Sequence, residues 1–138
     1  MAQLFEFVSN HFFLVGGFLV LLVLFVLNET RRGGREVSAQ ELVNLVNRDE
    51  AVVLDVRDRK EYQAGHITSA LNIPFPTLEK RIDELKPHRD RTLVVICKMG
   101  QHSNAAGTLL RKAGFEKVAR LSGGMMAWRN ASLPVVKA

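Results

Sequence analysis

The segment Leu93-Val94-Val95-Ile96-Cys97-Lys98-Met99-Gly100-Gln101-His102-Ser103 carries the single cysteine of the chain out of an apolar run and into a glycine-bearing turn. Four apolar residues in succession, three of them β-branched, read as a buried strand. Gly100 permits a tight turn. Ser103, followed by Ala105, Ala106, Leu109 and Leu110, reads as the beginning of a helix. Cys97 then sits where loop amides and a helix N-terminus favour thiolate over thiol, and the thiolate is the nucleophile. A cysteine at the end of an apolar run can equally be a small buried hydrophobe. Taken alone, Cys97 leaves both readings open.

Outward from this segment, apolar strands alternate with helices. Ser38 and Glu41 cap a helix with Leu42, Leu45 and Val46 on one face. Ala51 to Val56 reads as a buried strand and Asp58 to Ala64 as a short helix, with Asp58 and Glu61 as a capping pair and Gly65 at its end. Ala70 to Ile73 reads as a short strand, Thr77 to Leu85 as a helix with Leu78, Ile82 and Leu85 inward, and Leu93 to Cys97 as the central strand. Ser103 to Ala113 is the next helix, stopped by Gly114, and Val118 to Leu121 the last strand. Gly123-Gly124 reads as a tight turn before a helix that carries Trp128 into the core. The pattern predicts an α/β fold with a mainly parallel sheet covered by helices on both faces. Ligands of such sheets lie at the carboxyl ends of the strands, where Cys97 falls.

Two further stretches accompany the cysteine loop. Val52 to Ala70 contains Asp55-Val56-Arg57 and then Glu61-Tyr62-Gln63-Ala64-Gly65-His66-Ile67, and Leu121 to Trp128 reads Leu-Ser-Gly-Gly-Met-Met-Ala-Trp. In this order and spacing the three stretches resemble the signatures of the rhodanese-like domain family, over roughly Glu36 to Pro134. The resemblance, to a single-domain, membrane-anchored bacterial type, implies a sulfurtransferase. Cys97 would take a sulfane sulfur from a donor such as thiosulfate as a persulfide and hand it to a thiol or another nucleophile. No cofactor is implied, the sulfur being carried covalently. Lys98, Met99, Gly100, Gln101, His102 and Ser103 would bind substrate, their amides serving the anionic persulfide, with Lys98 a mobile cation at the mouth.

His102 stands where many members of the family carry arginine, so an imidazole replaces a permanent planar cation. A cysteine-dependent phosphatase would need Cys-x5-Arg, because a bidentate guanidinium clamps the phosphate. Here the residue six after Cys97 is Ser103 and the first downstream arginine is Arg111. The alternative to a transferase is a catalytically silent rhodanese-like module that docks a partner protein at the membrane. Asp55 and Arg57 read as an ion pair at the sheet edge or a helix cap. His66 reads as a structural hydrogen-bonder. His11, His66, His88 and His102 lack paired metal-ligand spacing, so no metal site is expected.

From Phe7 to Leu27 the chain has 21 residues without a formal charge if His11 is neutral. As one helix this run measures about 31 Å, against a hydrocarbon core of roughly 30 Å. The expectation is an uncleaved transmembrane helix over 7–27, since a basic region before it and an Ala-x-Ala-like cleavage site after it are both missing. A basic juxtamembrane linker over 28–35 follows, with Arg31, Arg32 and Arg35 and the flexible pair Gly33-Gly34. Residues 36–138 are expected to form the rhodanese-like domain that the resemblance implies. The arginine asymmetry predicts a single pass through the inner (plasma) membrane, N-terminus outside and domain cytoplasmic.

The net charge is +5, and the part from Arg31 onward holds all 19 basic residues and every acidic residue except Glu6 and Glu29. Such a domain is attracted to anionic headgroups. Its bases are scattered without interleaved exposed aromatics, so nucleic acid is not an expected partner. The expected partners are a small-molecule sulfur donor or a protein sulfur carrier, the lipid bilayer, and a membrane or cytoplasmic protein.

Overall fold

The computed structural model describes residues 1–31 and 34–137, the side chains of 29–31 aside. The chain divides into two compact units, Met1–Arg31 and Arg32–Ala138.

The first unit holds α1 (Ala2–Asn10) and α2 (Phe12–Arg31). The single helix expected over 7–27 is not formed: the two helices bend by 89° at the break between Asn10 and Phe12. Polar Ser9, Asn10 and His11 interrupt the apolar run. His11 closes α1 with φ −121° and ψ 37°, its N–H donating to the Phe7 carbonyl and its ring stacking on Phe7 at 4.7 Å. The unbroken apolar stretch, Phe12 to Leu27, is therefore 16 residues and about 24 Å long. Among the described residues no single helix is long and apolar enough to cross a membrane, whereas the bent pair passes by length and composition only. Arg32 and Gly33 of the expected linker lie outside the described residues, as do the side chains of Glu29, Thr30 and Arg31.

The second unit is built on five parallel strands, β1 (Arg35–Val37), β2 (Ala51–Asp55), β3 (Leu71–Asn72), β4 (Thr92–Ile96) and β5 (Val118–Leu121), in the order β1-β5-β4-β2-β3. Successive residues of a strand face opposite sides of a sheet, and here they enter two separate cores. Leu93, Val95 and Cys97 join Leu54, Leu78, Leu85, Ala106 and Leu110 on one side. Val94 and Ile96 join Val53, Leu42, Met125 and Trp128 on the other. Both faces are buried, which is why β4 is apolar throughout rather than alternating.

Three helices supply most of the cover: α3 (Ala39–Asn47), α5 (Ser103–Lys112) and α6 (Gly124–Asn130). Ser38 caps α3 as expected, its hydroxyl accepting from the Glu41 N–H at 3.1 Å. Trp128 is buried and its indole N–H donates to the Pro134 carbonyl at 3.0 Å. Gly114, at φ +97°, ends the α5 segment.

Other elements depart from expectation. Asp58 precedes α4 (Arg59–Ala64) without accepting a capping bond, its backbone carbonyl receiving the Tyr62 N–H instead. The Thr77 to Leu85 helix is replaced by two 3-10 turns, Phe75–Thr77 and Ile82–His88, among Pro74, Pro76 and Pro87. Proline offers no amide to an α-helical ladder. Leu78 and Leu85 are nonetheless buried as expected. Gly34, read as part of a flexible junction, is buried at φ +89° against the Val118 backbone, leaving no room for a Cβ. Arg35, assigned to the linker, is the first residue of β1.

Candidate active site

β4 ends at Ile96 and delivers Cys97, a free thiol that is only 3% exposed, to the carboxyl edge of the sheet. The chain then turns through Lys98 and Met99 to Gly100, whose φ of +91° suits a residue without Cβ. Buried Ser103 fixes the far side of the turn, its hydroxyl donating to the Gly100 carbonyl at 2.9 Å. His102 is the N-cap residue of α5 without making a side-chain cap bond, and its ring stacks on Phe75 at 5.2 Å. Gln101 and Lys98 are exposed on the loop, and 43% of Met99 is exposed. The seven residues singled out in sequence thus form one continuous loop, with Ser103 and His102 anchoring its second half.

The loop is tied down from a side that sequence reasoning did not foresee. The Met125 N–H donates to the Cys97 carbonyl at 2.9 Å and the Met126 N–H to the Lys98 carbonyl at 3.1 Å. Gly123 (φ +74°) and Gly124 (φ +60°) allow this approach. A Cβ on Gly124 would collide with the Cys97 carbonyl oxygen. The Gly-Gly pair was legible as a turn; its contact with the cysteine loop was not. With two loop carbonyls engaged, the amides of Lys98 to His102 donate to no protein acceptor among the described residues. Unspent amides around a sulfur are what an anionic persulfide requires in place of water.

Asp55 and Arg57 form the expected ion pair, at the carboxyl end of β2. β2 is an interior strand, and the two residues are buried, 1% and 6% exposed. The Arg57 guanidinium grips Asp55 through Nε and Nη2, the shortest contact being 2.7 Å, and Nη2 also donates to the Gly65 carbonyl at 2.8 Å. Asn72 donates to the carbonyls of Asp55 and Arg57, closing the strand end. Tyr62 donates to the Ala70 carbonyl at 2.6 Å. Burial first, and then the Asp55 charge, raises the Tyr62 phenol above its ordinary range. His66 is a structural group, stacked on Tyr62 at 3.7 Å with Nδ1 2.7 Å from the Tyr62 carbonyl.

Beside the loop opens a cavity of about 460 Å³ lined by Arg57, Glu61, Lys98, Met125, Met126 and Arg129, among others. Cys97 itself does not line it; its neighbour Lys98 does. Among the described residues no cluster of three or more His, Cys, Asp or Glu side chains could hold a metal ion.

Comparison with known proteins agrees with this geometry. The uncharacterized protein YibN of Escherichia coli is 29% identical over 99% of both chains. A putative sulfur carrier protein, YrkF of Bacillus subtilis, is 35% identical over 67% of this chain and 50% of its own length. Among solved structures, a rhodanese-related protein from Thermoplasma volcanium superposes with a TM-score of 0.69 at 32% identity, covering 75% of this chain and 99% of its own. Thiosulfate sulfurtransferase from Pseudomonas aeruginosa gives a TM-score of 0.70 at 30% identity over 79% of this chain and 21% of its own. The model of the rhodanese-like domain matches residues 38–131, which hold β2 to β5, the cysteine loop and α6, and the chain accordingly belongs to the rhodanese-like domain family.

Proposed function

We propose that the protein is a sulfurtransferase in which Cys97 carries a sulfane sulfur as a persulfide from an anionic donor such as thiosulfate to a nucleophilic acceptor. The observation that carries this reading is the cysteine loop, where amides of Lys98 to His102 have no protein acceptor while the carbonyls of Cys97 and Lys98 are occupied by α6. Relatives named for sulfur carriage and thiosulfate sulfur transfer support it. In loading, the Cys97 thiolate attacks the outer sulfur of thiosulfate; a disulfide-type bond forms to Sγ, the old S–S bond breaks, and sulfite leaves with the electron pair. Charge is balanced, and no second cysteine takes part.

The test is intact-protein mass spectrometry of the full chain before and after thiosulfate. The expected result is a gain of one sulfur that reductant removes and that Cys97→Ser abolishes while circular dichroism stays unchanged. Loading of a folded Cys97→Ser protein would overturn the assignment. A wild-type chain that never loads would instead favour a silent docking module.

The same proposal puts the chemistry at a membrane, with the bent pair of α1 and α2 in the bilayer and the domain on the cytoplasmic side. The exposed apolar surface of α2 and the lack of basic residues before Arg31 support this. Protease treatment of sealed inside-out and right-side-out vesicles tests it: the domain should be cut only from the cytoplasmic side. Recovery of the full chain without detergent in the soluble fraction would overturn it.

A further inference from the structure

Thiosulfate would leave most of the cavity beside Cys97 empty. At about 460 Å³ it falls in the range of pockets that enclose whole metabolites. Its wall is chemically mixed. Met125 and Met126 provide an apolar surface, and Met126 is 52% exposed with no partner to cover it. The side chains of Glu61, Lys98 and Arg129 line the cavity, and none makes a hydrogen bond or ion pair among the described residues.

Arg57 is the stronger indicator. It is 94% buried, with Nε and Nη2 spent on Asp55 and Gly65. Nη1 takes part in none of these bonds, and since no buried side-chain nitrogen lacks a partner among the described residues, Nη1 is the part of the group left accessible at the cavity that Arg57 lines. An accessible guanidinium nitrogen on an otherwise buried and fixed side chain is a positioned, charge-assisted donor for an anionic group in the cavity. Gly65 adds to the design. A Cβ there would stand 3.2 Å from Nη2 of Arg129, which puts a second guanidinium at the same wall.

Cationic donors and one carboxylate around an apolar floor match a zwitterion with a short hydrocarbon body. Resting on the sulfurtransferase reading, we infer that the cavity seats an amino-acid-type thiol as sulfur acceptor, its carboxylate held by Arg57, Lys98 and Arg129 and its ammonium by Glu61. The persulfide brings the reacting sulfur about 2 Å beyond Sγ, toward an acceptor held next to the loop. The acceptor thiolate attacks the outer sulfur of the Cys97 persulfide; an S–S bond forms in the acceptor, which leaves as a persulfide anion, as the bond to Sγ breaks and Cys97 keeps its electron pair as thiolate. One thiol and one persulfide exchange roles, with no net oxidation.

The full chain, loaded with thiosulfate and freed of excess donor, would be offered cysteine, mercaptoacetate (carboxylate only) and cysteamine (ammonium only), with rates expressed per thiolate. Cysteine should exceed each partial analogue in kcat/KM by about tenfold, the worth of one charge-assisted contact. Glu61→Gln should collapse the cysteine-to-mercaptoacetate ratio toward one, and Arg129→Gln the cysteine-to-cysteamine ratio. Each ratio is internal to one variant, so altered loading cancels. A second arm needs no sulfur transfer: S-methylcysteine should shift the amide resonances of Lys98, Met126 and Arg129 saturably, less so in Glu61→Gln. Equal use of the three thiols, or no saturable response to S-methylcysteine, would overturn the inference. A saturable response in a protein that never forms a persulfide would uphold the cavity assignment and refute the transferase reading.

Discussion

Gly124 lies directly against the carbonyl oxygen of Cys97. A Cβ there would also stand 2.9 Å from both the Gly100 nitrogen and the Lys98 carbonyl oxygen. The residue that starts α6 therefore sets how tightly the cysteine loop is held, although 27 positions separate the two in sequence.

Gly124→Ala meets both this collision and a left-handed φ of +60°. The expected cost is roughly 2–4 kcal/mol in urea unfolding, combining the αL penalty with displaced backbone. Persulfide loading should fall even at temperatures where the variant stays folded, because the Met125 and Met126 amides lose their acceptors. A variant that loads like wild type would show that the α6 contact is dispensable.

Asp55→Ala leaves the Arg57 guanidinium buried without its counter-ion. Breaking a buried pair from one side costs about 3–5 kcal/mol. Chemical denaturation should show that loss, and Asp55→Ala combined with Arg57→Met should be less unstable than the sum of the two single variants.

His102→Arg is expected to keep the stack on Phe75, since a planar guanidinium packs on an aromatic face as an imidazole does. It adds a permanent cation to the loop, so the apparent constant for thiosulfate should drop severalfold, and the drop should shrink in high salt. Phe75→Ala in the same background removes the stacking surface and should reverse the gain. Steady-state kinetics at two ionic strengths decide it.

Tyr62→Phe removes the donor to the Ala70 carbonyl, at about 1 kcal/mol near neutral pH. The Tyr62 phenol is raised in the folded chain above its ordinary 10.0, so the fold favours the protonated form. Its contribution is fully present below pH 10 and is lost as pH rises through the raised value. The stability gap between wild type and Tyr62→Phe should therefore be constant up to about pH 10 and close above it, as read by denaturation at stepped pH.

What sequence made legible was local. The passage from β4 through Gly100 to α5 is written in contiguous residues, as are the Ser38 cap and the strand Ala51 to Asp55. β1 was not foreseen: it has three residues, only Val37 of them buried, and exists by pairing with β5 more than 80 positions away. Proline positions, rather than the apolar spacing of Leu78 and Leu85, decided the conformation of the segment that carries them. The break at His11 was hidden because a neutral histidine does not interrupt a run defined by absence of charge. At the site, Cys97 and its loop were legible from the motif. The cavity was not, because Glu61, Lys98 and Arg129 are brought together only by the packing of α4 and α6 beside the loop.

The position of β1 has a mechanical consequence. It is one of the two edge strands, three residues long and hydrogen-bonded to β5 alone, and it is the first strand of the domain in chain order. Fraying from the N-terminal side of the domain meets β1 and its seat at Gly34 first, and reaches β4 only after β5. Peeling one short edge strand leaves the ladders between β5, β4 and β2 intact. Loss of β1 from the rim would therefore still leave β4, which delivers the cysteine loop, held between β2 and β5.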